Sequence, residues 1–265
     1  MSLVFAAITP HSPLLIPGIG KEQTEEPLQK TREALKTLEQ EMYTTKPDTI
    51  VIISPHEGLF DDTFIINAHT HFSSSYETFA DFNTQESWKG DPDLAAKISH
   101  VSNKSEDIPV RLISEEKLSH GSSVPLHFLT AHNKDVRILP IGFSNLSPEK
   151  HIALGVMLKD IIMNHEKKIA VIASGDLSHT LSDVSPSGFN AQGATFDETL
   201  IRLLEENNIE KIIAMDPETI TLAKECGYRS LLILLGIIKN MKHTFTKHAY
   251  EHPFGIGYLT SNFVL

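Results

Sequence analysis

Three short stretches of this 265-residue chain set a histidine just beyond an apolar run. Thr9-Pro10-His11-Ser12-Pro13 follows Leu3 to Ile8, and Ser54-Pro55-His56-Glu57-Gly58 follows Ile50 to Ile53. Ser174-Gly175-Asp176-Leu177-Ser178-His179 follows Ile169 to Ala173. Apolar runs of that length between turn residues read as buried β-strands. Prolines flanking His11 disfavour helix and hold it in an extended turn. Open α/β sheets bind ligands at strand ends, so the simplest account is one site at one sheet edge. Two imidazoles and one carboxylate make the facial ligand set of mononuclear non-haem iron(II), which leaves the other face open for substrate and O₂. His11 and His56 are the candidate imidazoles. Either alone is equally a loop histidine satisfied by backbone groups, but the strand-Pro-His context they share favours the ligand reading for the pair.

The carboxylate has a candidate in Ala223-Lys224-Glu225-Cys226-Gly227-Tyr228-Arg229, ahead of the apolar run Tyr228 to Ile238. Glu225 is placed either to point into a site or to sit solvated in a helix-helix turn. Cys226 is a rival ligand, whose soft thiolate favours copper or zinc, or else a small buried apolar residue. His120 and His179 lie in glycine-containing loops; a histidine beside a metal-bound phenol serves as general acid or base. Asp176 orients a histidine, hydrogen-bonds substrate or caps its turn. His252, in Tyr250-Glu251-His252-Pro253-Phe254-Gly255, is a further candidate for lining the site. There is no Gly-rich phosphate loop followed by Lys-Ser/Thr, no Gly-x-Gly-x-x-Gly after the first strand, and no Gly-x-Ser-x-Gly elbow. A zinc-dependent hydrolase using the same histidines stays open as a third chemistry.

The elements that must position these residues alternate. Strands are expected at 2–8, 49–53, 64–68, 110–113, 136–141, 168–174, 244–250 and 257–264. Helices are expected at 21–41, 91–102, 125–131, 147–164, 196–207, 209–215, from Asp216 onward, and at 228–238. Residues 72–91 read as a surface excursion whose tryptophan, Trp88, is a candidate lid. Strand, helix, strand at the start suggests a parallel βαβ crossover. No repeat or linker divides the chain, so residues 1–265 are expected to form a single α/β domain. A net charge of −11 without a Lys/Arg block argues against nucleic acid and anionic membrane as partners. One cysteine excludes an intrachain disulfide. There is neither an apolar run of membrane-spanning length nor a secretory leader pattern. The expected protein is cytoplasmic and, by default for such enzymes, a symmetric homo-oligomer.

Assembled in order, Thr9-Pro10-His11-Ser12-Pro13, Ser54-Pro55-His56, His120-Gly121-Ser122-Ser123-Val124-Pro125-Leu126, Ser174 to His179, Glu225-Cys226-Gly227 and Pro253 to Tyr258 resemble the LigB superfamily, the class III extradiol ring-cleaving dioxygenases. The nearest resemblance is to small stand-alone LigB-like proteins related to Memo. The resemblance implies a central mixed, mostly parallel sheet with helices on both faces. It implies Fe(II) bound by His11, His56 and Glu225, His179 as the acid/base residue, and His120 binding the substrate's hydroxyls or oxygen. The implied reaction opens a catechol-like ring beside its two hydroxyls with O₂. Memo-like relatives carry a cysteine near the position of the carboxylate ligand, so the resemblance also implies an alternative: a copper- or zinc-binding, or partner-binding, protein without ring cleavage.

Overall fold

A ten-stranded mixed sheet forms the centre of the molecule. The computed structural model describes residues 2–20, 24, 26–104 and 107–265. The strands are β1 (Leu3–Thr9), β2 (Thr49–Ser54), β3 (Phe64–Asn67), β4 (His71–Tyr76), β5 (Asp81–Gly90), β6 (Val110–Ile113), β7 (Arg137–Gly142), β8 (Ile169–Ser174), β9 (Thr244–Glu251) and β10 (Tyr258–Val264). Their order is β4-β5-β7-β2-β8-β1-β10-β9, with β3 pairing β6 and β7 off that path. The run β5-β7-β2-β8-β1 is parallel, and β10 and β9 add antiparallel strands at one side. Strands β1 and β2 are parallel as expected from the βαβ pattern, but β8 lies between them.

The described helices are α1 (Gln29–Thr45), α2 (Pro92–Ser102), α3 (His120–Leu129), α4 (Pro148–Met163), α5 (Ala191–Glu205), α6 (Ile209–Ile213), α7 (Pro217–Ala223) and α8 (Tyr228–Ile238). Of the helix expected from Lys21, residues 21–23 and 25 lie outside the described residues, and α1 begins at Gln29. Asp91 and Asp216 cap α2 and α7 as their sequence contexts indicate, accepting from Leu94 N–H and Thr219 N–H.

The central strands are buried on both faces, so they read as continuous apolar runs. Alternate residues still divide between two cores. Ala6, Ile8, Val51, Ile53, Val171 and Ala173 face α2, α4, α5 and α8, while Phe5, Ala7, Ile50, Ile52, Ala170 and Ile172 face α1 and α3. Each valine, isoleucine or phenylalanine among them contributes about 1.5–3 kcal/mol by leaving water. Helix α8 is apolar all round because it is enclosed, and it crosses α4 closely. A Cβ at Gly155 would stand 2.2 Å from Ile233 O, and one at Gly236 would stand 2.3 Å from Ile152 O.

Residues 72–91 are not a surface excursion. They form most of the β4–β5 hairpin at the sheet edge, and Trp88 is 2% exposed with its indole N–H on Thr130 Oγ1 at 3.0 Å. Its apolar partners there, Phe72, Leu126 and Leu129, hold it in the core, so it is no lid.

Candidate metal centre

Strands β1, β8 and β2 end side by side, with Thr9 opposite Ser174 and Ile53 opposite Ala173. The loops leaving β1 and β2 reach across the end of β8. His11 and His56 ring centroids come to 4.9 Å, and His120, at the first turn of α3, lies 4.4 Å from His56 and 5.5 Å from His11. Gly121 permits this, since a Cβ there would stand 2.3 Å from Ser54 Oγ and 3.0 Å from His56 Cδ2. Helix α3 begins at His120, five residues before the expected start at Pro125, so Pro125 lies inside it.

That proline has a consequence for the site. It lacks an N–H, so the carbonyl of Gly121, four residues earlier, has no helical partner. Gly121 O accepts instead from Ser174 Oγ. With its hydrogen committed there, Ser174 Oγ accepts from His11 Nδ1–H at 3.0 Å. The tautomer follows: His11 carries its proton on Nδ1 and turns the Nε2 lone pair toward the cluster. The His11 backbone N–H is held by Asp176 Oδ1 at 2.9 Å, and Asp176 Oδ2 stands 4.0 Å from His11 Nε2.

The third donor atom in reach of the histidines is a sulfur. Cys226 Sγ lies 3.4 Å from His11 Nε2 and 3.9 Å from His179 Nε2. Among the described residues, His11, His56 and Cys226 offer ligand atoms all within 4.8 Å of one another. The Glu225 carboxylate turns away from this group. Its Oε2 accepts the Tyr228 N–H at 2.6 Å, satisfying an orphan donor in the first turn of α8, and it lies in the field of Arg229. Of the two adjacent candidates, Cys226 is thus the one whose donor atom stands with His11 and His56. The His252 imidazole is exposed, and its ring contact is with Tyr250, at 5.8 Å.

Burial sets the protonation states. It lowers His11 well below the ordinary imidazole value, with the charges of His56 and His179 acting in the same direction. Burial also lowers His56 and His179, against the opposing pull of Asp176, and brings His120 to about 3. All four are neutral imidazoles with lone pairs to offer. Burial pushes Asp176 up to about 6 and raises the Cys226 thiol, with Asp176 adding to the latter shift. A buried thiol held protonated beside a carboxyl group is what a divalent cation reverses, because coordination deprotonates the sulfur outright. Two lone-pair nitrogens and one sulfur in mutual reach, with a hydroxyl fixing one imidazole from behind, fit a borderline or soft cation. His56 is exposed, so the cluster opens to solvent on that side.

Two residues near the cluster carry little sequence signal. Ser174 is legible only as a polar residue ending an apolar strand. Phe79, at the hairpin tip, sits edge-on to His120 at 5.5 Å and is 36% exposed, and nothing in its local sequence points to the site.

A mixed α/β sheet that gathers histidines and a thiol at the carboxyl ends of its parallel strands defines the class: an α/β protein with a metal-competent centre at one sheet edge. A family model described as the catalytic LigB subunit of aromatic ring-opening dioxygenase matches residues 5–260. The chain belongs to the LigB family. It is 29% identical over 266 residues to Protein CA_C1420 of Clostridium acetobutylicum, covering 97% of this chain and 57% of that protein. It is 27% identical over 191 residues to the 3,4-dihydroxyphenylacetate 2,3-dioxygenase of Escherichia coli, covering 64% of this chain and 66% of that one. This chain thus spans less than two thirds of either relative. The crystal structure of uncharacterized protein JW3007 from Escherichia coli K12 has the same fold, with a TM-score of 0.70 at 20% identity over 99% of this chain and 100% of that one. Among the described residues, no helix is long and apolar enough to cross a membrane.

Proposed function

We propose that this chain is a metal-dependent enzyme that opens the ring of a small aromatic diol with O₂, its cation held by His11, His56 and the Cys226 thiolate. The observation that carries the proposal is the convergence of these donors at an open sheet edge where His120 and His179 stand beside them. Membership of the LigB family, and the printed activity of the Escherichia coli dioxygenase, supply the reaction class. When bound, the cation would supply a Lewis acid that lowers a phenol's pKa and a template that holds the reactants adjacent. His179, neutral by burial, would take a diol proton and return it. His120, also neutral, offers a ring nitrogen to a diol oxygen, and the Phe79 ring beside it gives an apolar wall to a flat substrate. Asp176 holds the His11 backbone and supplies negative charge. One domain over residues 1–265, a homo-oligomeric state and a cytoplasmic setting belong to the same proposal.

Iron(II) is the cation this reaction calls for, whereas sulfur favours zinc or copper. That thiol, and the engagement of Glu225 by Tyr228, favour a second reading: a Memo-like centre that holds zinc or copper and cleaves no ring. Anaerobic loading with Fe(II), followed by O₂ uptake over a panel of catechols, decides between them. Uptake with a coloured ring-opened product supports the enzyme. One tightly held zinc or copper per chain, with no O₂ uptake under any loading, refutes the enzyme and leaves the second reading.

A further inference from the structure

We propose that Asp197 is a positioning residue for this centre: fully buried on α5, its carboxyl group clamps the Asp176–His179 turn to β9 and to the start of β10. Asp197 is 0% exposed. Its Oδ1 accepts the Ser178 N–H at 2.8 Å and its Oδ2 accepts the Tyr250 hydroxyl at 2.6 Å. Gly257 lets β10 close over it, since a Cβ at that position would stand 2.1 Å from Asp197 Oδ2. Turn and strand then exchange two bonds, Leu177 N–H to Gly257 O and Gly257 N–H to Ser178 O, both 2.8 Å. On its other side the turn is tied to the end of α7. His179 N–H and Ser178 Oγ both donate to Ala223 O, at 2.9 and 3.1 Å. Ala223 leads directly into the segment that carries Cys226, and Cys226 N–H donates to Asp176 O at 3.2 Å.

One carboxyl group thus gathers the segments bearing Asp176, His179 and, through Ala223, Cys226. Both of its hydrogen-bonding partners are neutral groups, so charge pairing does not account for an acid at this depth. Its geometric effect is to fix the backbone on either side of Ser178. Outer partners of this kind set ligand orientation, and their loss typically costs about 10- to 100-fold in metal affinity.

The test uses Asp197→Ala, Asp197→Asn and, as a control on the same helix, Leu200→Ala, which loosens the core that also holds Leu177 but removes no hydrogen bond to the turn. Cobalt(II) titration reads affinity and the sulfur-to-cobalt charge-transfer band. Ring ¹⁵N spectra of metal-free protein read His179 directly. The cobalt readout rests on the metal-centre reading, and the ring spectra do not. Asp197→Ala is expected to weaken cobalt binding by about tenfold or more, shift the band and move the His179 ring signals. Asp197→Asn keeps an oxygen for Ser178 N–H and should return affinity to within roughly threefold of the parent. Leu200→Ala should leave band and ring signals in place. If Asp197→Ala does not fold, Tyr250→Phe, which removes one donor, should move the same signals in the same direction by less. Parental affinity and parental His179 signals in Asp197→Ala, or equal changes in Leu200→Ala, would overturn the proposal. A parent that takes no cobalt would sink the metal-centre reading, and the His179 signals alone would then decide the role of Asp197.

Discussion

Replacing Ser174 with alanine tests the tautomer relay behind His11. The hydroxyl has two buried partners, Gly121 O and His11 Nδ1–H, and the chain keeps both after the substitution. Pro125 still denies Gly121 O a helical donor, so that carbonyl is left unpaired. Each orphaned buried group costs about 1–3 kcal/mol. Water reaching one of them would offset part of this, which leaves an expected loss near 3 kcal/mol. The effect on the site is separate. Freed from its acceptor, the His11 proton moves to Nε2, where it faces Cys226 Sγ and occupies the lone pair a cation needs. Returning the proton to an Nδ1 that has lost its acceptor is expected to lower zinc affinity by about 10- to 100-fold, or roughly 1.4–2.8 kcal/mol. Urea unfolding gives the first quantity and competition with a chelator of known affinity gives the second. A variant that unfolds earlier yet binds zinc within roughly threefold of the parent would show that Ser174 only packs, and that the tautomer is set elsewhere.

Other outcomes follow from the same geometry. Cys226→Ser should abolish tight zinc or copper binding in equilibrium dialysis, while Glu225→Gln should leave one metal per chain, since its amide oxygen still accepts the Tyr228 N–H. His179→Ala should slow ring opening of a catechol, if the parent performs it, by about 10²- to 10⁴-fold, and an unchanged rate in the O₂ electrode removes His179 from proton transfer. Gly155→Ala should destabilise the fold by about 2 kcal/mol in thermal unfolding, reversing the gain of about 1 kcal/mol usual for this change in a helix, because its Cβ meets the α8 backbone. Burial pushes Asp197 up to about 7, above the 3.8 of an exposed aspartate. The folded chain therefore holds that proton more tightly than the unfolded one, and the associated stability is complete below about pH 4 and lost as pH rises through about 7. Asp197→Asn should gain on the parent across that window, by at most about 4 kcal/mol in urea midpoints compared from pH 4 to pH 8.

Much of the fold was legible because its signals are local. The apolar runs at β1, β2 and β8 are long enough to be strands and are bounded by turn residues. Asp91-Pro92 and Asp216-Pro217 announce helix starts through capping chemistry that depends on neighbours in sequence alone. Residues 72–91 misled because β4 and β5 present one polar face. The buried positions that identify them, Phe72 and Trp88, are far apart in sequence and meet only once the hairpin forms. Helix α3 was read five residues short for a related reason. Pro125 is in a context common for a first helical residue, and no local signal shows that Ser174 takes up the carbonyl the proline orphans.

The choice between Glu225 and Cys226 shows why adjacent candidates resist a sequence reading. Consecutive residues there point to opposite sides, so one carries a donor to the histidines while the other faces away. A close backbone approach decides which. A Cβ at Gly175 would stand 2.1 Å from Gly227 Cα, so the β8 turn and the 225–227 segment touch main chain to main chain. In that register Cys226 N–H meets Asp176 O, and Asp176 N–H meets Cys226 Sγ at 3.3 Å, which brings the sulfur against the turn that carries His179. The carboxylate is then on the helix side, where the Tyr228 N–H in the first turn of α8 and the Arg229 charge receive it. A one-residue shift would exchange the two roles, giving a carboxylate among the histidines and a thiol at a helix start. Which donor stands beside the histidines, sulfur or carboxylate, thus rests on the contact between two glycines.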